Sequence, residues 1–278
     1  MSYLFLLIYS LIAACISYVL CQYINVKLPF SYLIIAIATG LTTSTILFFT
    51  MHHTNLQHEN VLSVGTSADF PPFTYIEDNT IVGFDIDLIE EIGKRLDKKI
   101  EIKNMPFITL LPNLQLGTLQ VVAAGLTATP ERAHQVLFTE PYLEDNHLVI
   151  ISLKENSAKT VEDLHNNLVI VNEGYTADIY LSQTTGPIII RLKTPAEAFL
   201  ALKSGRAFAY VTAENTVKPF FDQHGSHDFY VTPITHTQEN TSLAIAPQYP
   251  ELLTQIQHAL NEMKKDGFIE MLKTKWGL

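Results

Sequence analysis

The first 58 residues contain no aspartate or glutamate and one basic residue, Lys27. Within them, residues 3–21 and 28–50 are two apolar runs, each close to the length of about 20 residues that a helix needs to cross a bilayer. A segment this poor in charge predicts a membrane anchor over residues 1–50, formed by two helices with a turn at 22–27. A polar stretch, MHHTNLQH (51–58), follows as a tether. Lys27 marks the cytoplasmic side, which puts the remainder of the chain outside the cell inner membrane, in the periplasm or extracellular space. The sequence Ile12-Ala13-Ala14-Cys15 resembles a lipoprotein cleavage site, but the residues behind it stay apolar, so a retained anchor is the favoured reading and a cleaved or lipidated form the alternative.

From Glu59 onward the composition is that of a globular protein. Setting Lys27 aside leaves 17 Lys and Arg against 28 Asp and Glu, an acidic balance that argues against binding nucleic acid. Both cysteines, Cys15 and Cys21, fall in the first apolar run, so neither a disulfide nor a cysteine metal cluster is available to the globular part. His52, His53 and His58 have no cysteine neighbour and only Glu59 as an adjacent acid, and no metal or other cofactor is expected.

Short apolar runs alternate with amphipathic helices, the pattern of an α/β protein with mostly parallel sheets. Residues 61–76 give two strands around Pro71 and Pro72, and residues 85–96 a helix with Leu88, Ile89, Ile92 and Leu96 on one face. Asp85 or Asp87 is expected to cap that helix. A strand at 99–102, a short helix at 107–116 and a buried strand at 119–126 lead to GLTATPER (125–132), where Thr129 and Pro130 start a helix. The pattern restarts after Tyr142, with strands at 147–152, 167–172, 207–212 and 241–246 and helices at 176–183 and 194–203. Two helices, 250–265 and 268–276, close the chain. Two such units imply a ligand cleft where the chain crosses between them.

Four ordered segments, GTSADFPPF (65–73), IVGFDIDLIEEI (81–92), GLTATPER (125–132) and KTKWGL (273–278), together resemble the bacterial extracellular solute-binding proteins of family 3, the amino-acid receptors of ABC importers. The resemblance implies a two-lobed periplasmic-binding-protein type II fold with a two-strand hinge. Lobe one would comprise 59–148 plus 241–278, lobe two 149–240, with the hinge at 148–151 and 241–245.

It also implies a site. Arg132 matches the arginine that grips the ligand's α-carboxylate, which a planar guanidinium can do through two parallel hydrogen bonds. Gly125 and Thr127 would add a backbone group and a hydroxyl. From lobe two, Gly174, Tyr175 and Thr176 open a helix whose first N–H, on Thr176, would reach the same carboxylate. Phe70 and Phe107 match aromatic positions against the ligand's aliphatic part, and Glu173 is a candidate contact to its side chain. Ser67 stands where receptors for basic amino acids carry an aspartate, which favours a polar or neutral ligand. In SGRAFAYVTAEN (204–215) the position of the acid that takes the ligand's ammonium is Ala213, with Glu214 one residue on. A one-residue shift on a strand reverses the face, so Glu214 serves only if the strand bends.

The function implied is a membrane-tethered receptor for a small-molecule ligand, an amino acid or related carboxylate, that works with ABC importer permease subunits and changes no bond. A ligand-binding sensor or scaffold of the same fold is the first alternative, and a dehydratase-like enzyme the second.

Overall fold

The computed structural model describes residues 60–144 and 146–278. The expected anchor (1–50) and tether (51–58) lie outside these. Among the described residues no helix is long and apolar enough to cross a membrane.

Strand β1 (Val61–Thr66) leads into a small antiparallel sheet of β2 (Asp69–Phe70), β3 (Thr74–Glu77) and β4 (Thr80–Val82). Helix α1 (Phe84–Arg95), strand β5 (Lys99–Asn104), helix α2 (Phe107–Gln115), strand β6 (Val121–Val122), the single-turn α3 (Pro130–Ala133) and strand β7 (Leu137–Phe138) follow. The chain then crosses to β8 (Leu148–Leu153), β9 (Leu168–Asn172), α4 (Thr176–Ser182), β10 (Ile188–Leu192), α5 (Pro195–Lys203), β11 (Ala209–Ala213), α6 (Val217–His224) and β12 (Phe229–Pro233). It returns through β13 (Ala244–Ile245) and ends in α7 (Pro250–Lys265) and α8 (Phe268–Trp276).

Two five-stranded sheets result, ordered β5-β1-β6-β13-β7 and β10-β9-β11-β8-β12. Both are mixed rather than mostly parallel. In the first, β13 runs antiparallel to β6 and β7; in the second, β8 runs antiparallel to β11 and β12. The reason is the double crossing: strands that arrive from the other sheet enter from the opposite end.

The second sheet is covered on both faces, which explains its unbroken apolar runs. Along β8, Val149 and Ile151 join Phe199, Leu202, Tyr210 and Phe220 on one face. Leu148 and Ile150 join Leu164, Ala177, Leu181 and Val211 on the other. In the first sheet Leu62, Val64 and Val121 pack against Leu88, Ile89 and Ile92 of α1 and Ile256, Leu260 and Ile269 of the closing helices. Leu110 and Leu114 of α2 pack with Leu119, Val122 and Ala244 in a separate cluster.

Neither Asp85 nor Asp87 caps α1. Gly83 takes the cap position at φ 139°, with no side-chain hydrogen bond, because a Cβ there would lie 2.1 Å from the Phe73 carbonyl oxygen. This frees both acids to hold distant segments. Asp85, fully buried, accepts from the Gly125 N–H at 2.6 Å and the Tyr142 hydroxyl at 2.6 Å. Asp87 accepts from Trp276 Nε1 at 2.7 Å and Lys275 Nζ at 2.6 Å, tying α1 to the C-terminal KTKWGL segment.

The two crossings lie side by side and meet at the near ends of the segments expected as the hinge. Residues 148–151 open β8, and β13 pairs within the first sheet. Contacts join the crossings at and just before Thr241, the first residue of the second expected segment: Thr241 N–H donates to Leu143 O at 2.9 Å, Tyr142 N–H to Thr241 O at 2.9 Å and Glu239 N–H to Asn146 O at 2.8 Å. The Leu148 N–H is taken by the Thr237 hydroxyl at 3.0 Å.

Candidate functional site

Arg132 stands one turn into α3, whose start is fixed by the Thr129 hydroxyl accepting the Arg132 N–H at 3.3 Å and by Pro130 at the first helical position. The helix is a single turn, so the arginine side chain is aimed by its surroundings rather than by a long helix face. It is 5% exposed. Nη1 donates to Thr127 O at 2.8 Å and Nη2 to Gly174 O at 2.9 Å, so the guanidinium joins a loop after the first sheet to a loop after the second. Its carbon sits 5.5 Å from the centroid of the Phe107 ring. Burial lowers its pKa to about 10, an effect opposed by the nearby Glu239 charge, so it is a cation at neutral pH.

Glu239, on the returning crossing, is the residue that motif reasoning missed. Oε2 accepts from the Thr127 hydroxyl at 3.1 Å and the Thr176 hydroxyl at 2.5 Å. One carboxylate oxygen thus bridges the loop that carries Arg132 and the start of α4. Glu239 is 7% exposed, and burial raises its pKa against the opposing pull of those two hydroxyls and Arg132. Nothing in the GLTATPER-type patterns signals it; the available sign was an acid just before the strand that returns to the first sheet.

The expected site residues divide into two groups. Gathered around Arg132 are Thr127, Thr176, Phe107, Tyr175 and Phe70. Tyr175, from the second unit, lies against lobe-one aromatics: 4.2 Å between ring centroids to Phe107 and 5.4 Å, edge-on, to Phe70, which in turn stacks on Phe73 at 5.4 Å. The Tyr175 hydroxyl is buried with no hydrogen-bond partner among the described residues. Gly125 is adjacent, at φ 59°, where a Cβ would come 2.6 Å from Phe70; its N–H is held by Asp85 rather than free. The Thr176 N–H, first in α4, has no acceptor among the described residues.

Three candidates have no hydrogen bond to Arg132 or Glu239. Ser67 is buried and donates to Asp69 Oδ1 at 2.9 Å. Glu173 is exposed, with its N–H bonded to Leu192 O. Glu214 is exposed and follows β11 without a bulge, so its side chain lines a different cavity, of about 1130 Å³, together with Tyr75, Lys218, Lys275 and Trp276. Ala213, at the end of β11, supplies no charge.

Residues 62–278 match the bacterial extracellular solute-binding proteins, family 3. The chain is 31% identical over 218 residues to the arginine-binding extracellular protein ArtP of Bacillus subtilis (strain 168), covering 77% of this chain and 85% of that protein. Among solved structures it is similar to an ancestral arginine-binding protein, seen bound to arginine (38% identity, TM-score 0.74, 78% of this chain and 98% of that one) and bound to glutamine (37%, 0.72, 78% and 97%). It is also similar to an ancestral amino acid-binding protein described as a precursor of cyclohexadienyl dehydratase (33%, TM-score 0.72, 80% and 98%). The two sheets, the double crossing and the arginine between them are therefore those of a periplasmic-binding-protein type II fold, and the chain belongs to the bacterial extracellular solute-binding proteins, family 3.

Proposed function

We propose that this protein is an extracytoplasmic amino-acid receptor of an ABC importer, tethered to the membrane by residues 1–50 and handing its ligand to permease subunits carried on other chains. The observation that carries the reading is Arg132: a buried guanidinium whose hydrogen bonds run to both lobes, at 2.8 Å to Thr127 O and 2.9 Å to Gly174 O. A ligand carboxylate arriving there meets a desolvated cation, where a charge-assisted bidentate pair is strong. Lobe one is read as 59–148 plus 241–278 and lobe two as 149–240, closing on the ligand about the paired crossings. The receptor binds and releases without breaking a bond.

The ligand is read as a polar or neutral amino acid, since Ser67 brings no charge of its own. A second reading, a cationic side chain, is favoured by Asp69. Its carboxylate is held by the Ser67 hydroxyl, and its charge adds to the burial that raises the pKa of the Tyr175 hydroxyl beside Phe70 and Phe107.

Thermal unfolding of the full chain in detergent with each of the twenty amino acids tests the function. A ligand at about a thousand times its Kd adds about 4 kcal/mol of stability. Stabilisation of the wild type by at least one amino acid, lost in Arg132→Ala, is the expected result; no stabilisation by any amino acid sinks the receptor reading.

A further inference from the structure

Arg132 and Glu239 are buried charges of opposite sign in one cleft, and among the described residues neither forms an ion pair. Arg132 donates to two backbone carbonyls and Glu239 accepts from two threonine hydroxyls. Desolvating a charge is costly, and the usual remedy is direct pairing. Here a single residue stands between them instead. Thr127 gives its carbonyl to Arg132 at 2.8 Å and its hydroxyl to Glu239 at 3.1 Å, which sets cation and anion one residue's width apart. That spacing suits a ligand bearing an anion and a cation on one carbon.

The other buried acids are already committed. Asp85 holds Gly125 and Tyr142, and Asp178 is bound by Arg191 at 2.9 Å. Glu239 differs in that only Oε2 is hydrogen-bonded; no donor among the described residues reaches Oε1. A carboxylate can accept about four hydrogen bonds, so the group retains capacity for an ammonium.

We infer that Glu239 is the residue that binds the ligand's α-ammonium, taking over from the end of β11, where Ala213 has no charge. This rests on the amino-acid receptor reading and deepens it. Because Glu239 rides on the returning crossing and contacts Thr127 in one lobe and Thr176 in the other, the ammonium is read where the lobes meet rather than from lobe two alone.

The test compares amino acids with their deamino counterparts by calorimetric titration of the full chain: L-glutamine against glutaramate, and L-arginine against 5-guanidinopentanoate. Glu239→Gln keeps the shape and both hydroxyl bonds but removes the charge. Losing one charge-assisted contact corresponds to roughly 10- to 100-fold in affinity. Expected is that loss for whichever amino acid the wild type binds, with the deamino acid bound as well or better. If Glu239→Gln binds the amino acid as the wild type does, the inference is overturned. It is also overturned if both members of a pair weaken equally, which marks a structural role. A wild type that binds neither these nor any other amino acid instead overturns the receptor reading itself.

Discussion

Asp85 and Tyr142 share a hydrogen bond of 2.6 Å in a fully buried pocket, with the Gly125 N–H on the other carboxylate oxygen. Burial raises the Asp85 pKa from 3.8 to about 6, and the two hydrogen bonds only partly offset it. Between those values Asp85 holds a proton in the folded protein that it releases in the unfolded chain, so its contribution to stability falls as pH rises from about 4 to about 6 and is flat above. The full change is roughly 3 kcal/mol. Urea unfolding across this range checks it. Asp85→Asn, which can accept from Gly125 and donate to the tyrosine oxygen, should remove the Asp85 share of the slope, leaving the smaller shares of Asp69 and Glu239, and leave stability at pH 7 no lower.

Tyr175→Phe removes a buried hydroxyl that has no partner among the described residues while keeping the ring between Phe70 and Phe107. The unliganded protein should gain about 1 kcal/mol. A loss of stability on chemical denaturation would show that the hydroxyl is satisfied.

Gly125→Ala puts a Cβ 2.6 Å from the Phe70 ring at φ 59°, a region that L side chains rarely adopt. Backbone strain of about 1–2 kcal/mol plus displacement of Phe70 is expected. Thermal melts report the stability loss, and titration with the amino acid that stabilises the wild type reports weaker binding.

Asp87→Ala releases both Trp276 and Lys275. The two charge-assisted bonds are partly exposed, so about 1–2 kcal/mol is expected, with α8 losing more hydrogen-exchange protection than α7. Equal protection in both helices would count against the clamp.

Most elements could be read from the sequence because their signals are local. Thr194 and Glu197 form the capping box that starts α5, and α7 and α8 begin and end where periodicity and Gly267 place them. What escaped was long-range. Strand β10 is exposed on its Ile188 side, and β12 carries exposed Tyr230 and Val231, so neither shows a strong pattern. Asp85 looks like a helix cap in one dimension, yet it is bonded 40 and 57 residues away. In the site, Arg132, Thr127 and Thr176 stand in motifs. Glu239 acquires its meaning only from contacts 112 and 63 residues distant, which no window of sequence can display.

The bond from Arg132 to Gly174 O has a consequence for transport. The same guanidinium that would seize a ligand already fastens one lobe to the other through a backbone carbonyl, so an incoming carboxylate must displace an intramolecular rival. Affinity is then a difference between two sets of bonds. It can be tuned by changes that loosen or tighten the self-contact, leaving every ligand contact intact, and a receptor built this way can be made to let go of its cargo as readily as to catch it.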